Sequence, residues 1–188
     1  MKVGFFGGSF NPPTIAHYNL IKQAKNDYKF DEVYFVPVND FYGKIDLINI
    51  DKRIDMLNLV CKLDDNIKVL EIEKRISKKL NAIDIFQIIE NNYINDDIYF
   101  FMGEDNYKKM SDWKDYDKLQ KYKYIIFQRY DKKEMVINSQ NVLYMKNSEN
   151  LKVSSSQIRK KLHNNENISD LVCEDVEEYI INNKLYVD

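Results

Sequence analysis

Three short stretches of this 188-residue chain carry residue types that handle phosphate. The first runs Gly7-Gly8-Ser9-Phe10-Asn11-Pro12-Pro13-Thr14-Ile15-Ala16-His17. Paired glycines let backbone N–H groups approach a ligand closely. Pro12 and Pro13 suit the start of a helix, where the first N–H groups lack partners in any case. A helix opening there offers free N–H donors and a positive dipole end to an anion. Thr14 and His17, three apart, share one face of its first turn. On glycine content alone, a tight strand-to-helix turn with a surface histidine is the other reading. The spacing fits neither a Walker A loop nor G-x-G-x-x-G.

The second stretch begins Gly103-Glu104-Asp105 and reaches Trp113, the single tryptophan. Gly103 permits close backbone approach. Asp105 can accept from a ribose hydroxyl, or it can cap a following helix. A lone tryptophan is either core or a stacking platform. The third stretch is Val153-Ser154-Ser155-Ser156-Gln157-Ile158-Arg159-Lys160. Ser154 with Gln157 is a capping-box pattern and by itself marks only a helix start. Ser155, Ser156 and Arg159 add hydroxyls and a guanidinium to the same turn, the parts of a phosphate clamp.

These stretches need elements to place them. Val3 to Phe6 is a short apolar run bounded by glycines and predicts a buried strand. Thr14 to Lys25 has helical spacing. Glu32 to Val38 is β-branched and aromatic, a strand, and Asp51 to Leu63 is helical. Ile67 to Ile72 predicts a third strand, Ala82 to Asn92 a helix, and Ile98 to Met102 a nearly all-apolar central strand. Tyr124 to Phe127 and Val142 to Met145 follow as strands, then helices at Ser155 to His163 and Glu174 to Asn183. Asn39 to Asn49 and Gln128 to Asn141 read as polar surface loops. Strands alternating with helices predict an α/β fold, Rossmann-like and doubly wound, with a mostly parallel sheet and helices on both faces. Ligands of such sheets bind past the carboxyl ends of the strands, where strand order reverses. That points to the loops after the first and fourth strands, the two that carry the unusual residues. The whole chain, 1–188, is expected to form one domain, with the helical part 154–188 completing the phosphate site.

Composition narrows the partners. Hydrophobic residues make up 44% and charged residues 31%, as in an ordinary globule. A formal net charge of -2 argues against long-range attraction to nucleic acid or an anionic membrane. Cys61 and Cys173 lack metal-ligand spacing, sit in apolar helical patterns and read as buried thiols of a reducing compartment. The amino terminus enters a strand at once and shows no signal-peptide pattern, so a cytoplasmic location is expected.

The first stretch resembles the signature of the nucleotidylyltransferase superfamily, G-x-F-(D/N)-P followed by (H/T)-x-G-H. The other two resemble the G-x-D…W and I-S-S-T-x-I-R patterns of the nicotinate mononucleotide adenylyltransferase family, in the same order along the chain. The tail through Leu185-Tyr186 is also similar to that family's ending. The resemblance implies transfer of an adenylyl group from ATP to nicotinate mononucleotide, with Mg²⁺ carried on the ATP phosphates and no metal site of the protein's own. It implies that Gly7, Gly8, Ser9, Phe10, Gly103, Asp105, Ser155 and Ser156 bind ATP. His17, Thr14, Lys44 and Arg159 would act on the phosphates, and Trp113 would stack on the pyridine ring. Arg129 resembles an arginine of the family just past the fifth strand and, with Trp113, Asn81 and Ala82, would bind the mononucleotide. Three positions differ. Thr14 stands where many members have His, Ala16 where Gly is usual, and Asn81-Ala82 where Tyr-Thr usually meets the nicotinate end. The differences leave nicotinamide mononucleotide, another phosphate acceptor or a non-catalytic ATP-binding domain as alternatives.

Overall fold

The computed structural model describes residues 1–43, 46–127, 141–145 and 153–187. Among them, six strands form one parallel sheet in the order β3-β2-β1-β4-β5-β6. The strands are β1 (Lys2–Gly8), β2 (Glu32–Pro37), β3 (Ile67–Val69), β4 (Asp97–Gly103), β5 (Lys123–Phe127) and β6 (Val142–Met145). The helices are α1 (Ile15–Tyr28), α2 (Ile50–Cys61), α3 (Ala82–Asn92), α4 (Glu104–Lys108), α5 (Tyr116–Leu119), α6 (Ser155–His163) and α7 (Glu174–Asn182).

Side-chain alternation along the strands supplies two cores, as a sheet covered on both faces requires. Phe6, Phe35, Phe101, Ile125 and Phe127 point to one face, under Leu20 and Ile21 of α1, Leu57 of α2, Ile158 of α6 and Val176 of α7. Phe5, Phe100, Met102, Tyr124 and Ile126 point to the other, under Ile83, Phe86 and Ile89 of α3. Phe86 stacks on Phe100 with ring centroids 3.5 Å apart. Gly4 has a packing role, because a β-carbon there would lie 2.3 Å from the Phe101 ring of the neighbouring strand.

Strand order reverses between β1 and β4, which pair directly from Lys2↔Asp97 to Phe6↔Phe101. The two segments leaving this seam are those after Gly8 and Gly103, as the alternation predicts. The third strand is shorter than its apolar run, ending at Val69 before a 3₁₀ turn at Glu73–Arg75. Cys173 is the N-cap residue of α7 rather than part of its apolar face. Both thiols are half-buried, and burial pushes that of Cys61 up to about 12. No helix among the described residues is long and apolar enough to cross a membrane.

Candidate active site

The loop after β1 enters α1 through Thr14, whose extended backbone and hydroxyl cap the helix. The Thr14 hydroxyl accepts from the His17 backbone N–H at 3.2 Å, and His17 Nδ1 accepts from the Thr14 backbone N–H at 2.9 Å. This reciprocal capping box closes the first turn on itself. The Ile15 N–H is also taken, by the Leu171 carbonyl at 2.9 Å. The amides of Thr14, Ile15 and His17 therefore serve the fold. The imidazole is what the turn presents. With Nδ1 accepting, its proton sits on Nε2, and burial pulls its pKa down to about 4. At neutral pH it is an uncharged donor.

Phe10 adopts φ 47, a left-handed conformation uncommon for a non-glycine residue, and its ring is buried. The ring makes edge contacts with His17 at 5.2 Å and Phe35 at 5.0 Å, so it floors the loop and supports the imidazole. Gly8 lies over that ring, where a β-carbon would come within 2.9 Å. Gly7 and Gly103, on either side of the strand-order seam, have nothing within 4 Å of a β-carbon position. Their faces are open to a ligand.

Helix α6 brings the third stretch to the first. Ser154 caps it by accepting from the Gln157 N–H at 3.2 Å. The Ser155 hydroxyl donates to the Pro12 carbonyl at 2.7 Å, and Arg159 donates to the Asn11 carbonyl at 2.9 Å. Ser155 is thus a staple between the two stretches. Ser156 is exposed beside the guanidinium, 3.5 Å from it, with its hydroxyl proton available. The bond to the loop uses only part of the five-donor fork of Arg159. Ser9, Phe10, Asn11, His17, Ser155, Ser156 and Arg159 line a cavity of about 310 Å³.

A second cavity, about 510 Å³, opens on the other side of Ser9, which lines both. Its walls include Gly7, Gly8, Asn81, Ala82, Asn106 and Trp113. Trp113 is half-buried after a 3₁₀ turn at Met110–Asp112 and packs against the α3 side of the core. Asn81 precedes α3, and its backbone N–H donates to Asp84 at 2.8 Å. A polar, cationic cavity and an aromatic-walled one thus meet at one loop residue. Among the described residues, no group of three His, Cys, Asp or Glu side chains converges as a metal site.

A cytidylyltransferase-like family model matches residues 5–161. A "Probable nicotinate-nucleotide adenylyltransferase" of Acholeplasma laidlawii is 34% identical over 185 residues, which cover 96% of this chain and 95% of the relative. The chain belongs to the nicotinate-nucleotide adenylyltransferase family. A Fusobacterium nucleatum relative of the same name is 30% identical over the full length of both chains. The fold agrees with that of Plasmodium falciparum nicotinic acid mononucleotide adenylyltransferase complexed with NaAD, at TM-score 0.83 and 22% identity over 98% of this chain and 97% of that one.

Within this nucleotidyltransferase family's frame, the chain brings its first and third stretches together around His17 and Arg159, and sets Trp113 across Ser9 from them. Thr14 is buried and orients His17. Asp105 is exposed in the first turn of α4 and lines neither cavity; the helix's N-cap is Gly103. Lys44 and Arg129 lie outside the described residues. Arg53 was not expected in the site. It is fully buried and donates to the Ser9 carbonyl at 2.8 Å, the Ile48 carbonyl at 2.9 Å and Asp40 at 2.8 Å. The signal was present: Arg53 interrupts the apolar stripe Ile50, Ile54, Leu57, Val60 of α2.

Proposed function

We propose that this protein transfers the adenylyl group of ATP to nicotinate mononucleotide, releasing pyrophosphate and forming the corresponding dinucleotide of NAD biosynthesis. The observation that carries the reading is the meeting of two cavities at Ser9. One is lined by His17, Ser156 and Arg159, groups suited to phosphate, and the other by Trp113, suited to a planar ring.

In this reading the 5′-phosphate of the mononucleotide attacks the α-phosphorus of ATP in line, and the bond to the β-phosphate oxygen breaks. The protein positions two mutually repelling phosphates and offsets the charge that develops between them. His17 donates its Nε2 proton as a hydrogen bond to a non-bridging oxygen. Arg159 and Ser156 hold the departing pyrophosphate. Gly7, Gly8 and Gly103 let backbone approach the nucleotides, and Ser155 fixes the α6 motif to the loop. Asp105 would meet the adenosine ribose. Lys44 is proposed to add charge near the phosphates, and Arg129 to bind the mononucleotide. The substrate is Mg-ATP, its ion held by phosphate oxygens and water, a preference of small hard cations. ATP as substrate accords with a cytoplasmic location.

Base recognition falls to Trp113 and to backbone near Asn81 and Ala82. Ala82 offers no hydroxyl, which favours nicotinamide mononucleotide as the second candidate acceptor. The bond-cleavage assignment is tested by isotope. Label at the α-phosphorus of ATP must pass to the dinucleotide, and label at the γ-phosphorus to pyrophosphate. Label recovered as free inorganic phosphate would exclude adenylyl transfer.

A further inference from the structure

We infer that Tyr186 is a positioning residue for the ATP side of the site, its hydroxyl holding Asn11 in the arrangement that Arg159 grips. The inference rests on the adenylyl-transfer reading above.

After α7 the chain doubles back. Leu185 N–H donates to the Ile180 carbonyl at 3.0 Å, and Lys184 and Tyr186 take left-handed backbone conformations with φ 49 and 63. Few non-glycine residues occupy that region. This path carries the Tyr186 hydroxyl to Asn11 Oδ1, 2.8 Å away and 175 residues earlier. Asn11 is buried, and each of its side-chain polar atoms is engaged. Its Nδ2 donates to the Asp46 carbonyl at 2.6 Å, and its Oδ1 also accepts from the Ile48 N–H at a longer 3.4 Å. Its carbonyl takes Arg159. One asparagine therefore ties the loop after β1 to the 46–48 segment, to α6 and to the tail.

Burial raises the Tyr186 phenol well above its ordinary pKa, so it stays protonated and donates throughout the working range. Without that donor, Oδ1 keeps only the long bond to Ile48. A buried acceptor left short of partners is costly, and the side chain is freed to turn. Asn11 and Arg159 line the cavity with His17, whereas the Trp113 cavity is lined by neither of them nor by Tyr186. The effect should therefore fall on ATP and spare the mononucleotide.

The test is Tyr186→Phe, which keeps the ring and removes the hydroxyl. KM for Mg-ATP is expected to rise about fivefold, the equivalent of one ordinary hydrogen bond, with KM for the mononucleotide unchanged. An unchanged KM for ATP, or equal rises for both substrates, would overturn the assignment. A second measurement needs no variant. Hydrogen exchange of the wild-type chain with a non-hydrolysable ATP analogue should slow at residues 184–187 as well as at 9–17, because coupling between two sites is reciprocal. Slowing at 9–17 alone overturns the role of Tyr186. Slowing at neither overturns it together with the ATP reading.

Discussion

His17 Nδ1 lies 2.9 Å from the backbone nitrogen of Thr14 and 3.0 Å from its hydroxyl oxygen, so both polar groups of the helix cap address one ring nitrogen. Thr14 supplies the donor that Nδ1 must accept, which assigns the ring proton to Nε2 and aims it at the cavity. Thr14, expected to hold phosphate, also fixes the tautomer and direction of its neighbour. His17→Ala should lower kcat by about 10²-fold, as when one pre-aimed donor is removed from a charge-developing transition state. Steady-state kinetics with saturating substrates checks this, and near-normal turnover would remove His17 from the mechanism.

Acid stability follows from the burial of the same ring. The His17 pKa is about 4 in the fold and about 6.5 in the unfolded chain. Between these values the unfolded state binds the proton and the folded state does not, so falling pH favours unfolding. The contribution of His17 to stability is complete above about pH 6.5 and is lost as pH drops toward 4. Denaturant titrations of wild type and His17→Gln across this window should converge toward its lower end. Parallel curves would contradict the burial of a neutral imidazole.

Arg53 should prove structural in its energetics and functional in its consequence. Arg53→Met removes the guanidinium that donates to the Ser9 carbonyl, the Ile48 carbonyl and Asp40. Each such hydrogen bond contributes roughly 1 kcal/mol net, so a loss of about 2–3 kcal/mol is expected. For a chain of this size that is a fall in Tm of about 5–10 °C, measurable by calorimetry. Arg53→Lys keeps charge but not the three-way fork and should recover only part of the loss.

Trp113→Ala should raise KM for the mononucleotide roughly two- to tenfold, with KM for ATP little changed, because ring stacking contributes about 0.5–1.5 kcal/mol. Trp113→Phe should restore most of the affinity. Equal effects on both substrates would mean that the tryptophan only supports the core beneath it.

Much of this architecture was legible in the sequence. The α3 helix, the β6 strand and α6 match their apolar periodicity to the residue, and the seam between β1 and β4 follows from the alternation of elements. The short helices α4 and α5, of 5 and 4 residues, are too brief for a 3.6-residue period to show. Cys173 read as a helical apolar position and proved to be a cap, since boundary residues carry the weakest pattern. The clamp of Ser155 and Arg159 on the first loop could be anticipated in type but not in partner. Its bonds go to the carbonyls of Pro12 and Asn11, and backbone acceptors carry no residue-type signal. The network through Arg53, Asn11 and Tyr186 joins residues up to 175 positions apart. Local propensity holds no information on such pairings, and an arginine within an apolar stripe was their one trace.

The central claim is adenylyl transfer to a pyridine mononucleotide, and pyrophosphate release by the purified protein with Mg-ATP tests it most directly. Nicotinate and nicotinamide mononucleotides are compared as acceptors. The account predicts release that depends on the acceptor and favours the nicotinate form, with backbone groups near Asn81 and Ala82 serving in place of side-chain hydroxyls. Preference for the amide would keep the chemistry and contradict the acceptor; absence of release with either would contradict the account.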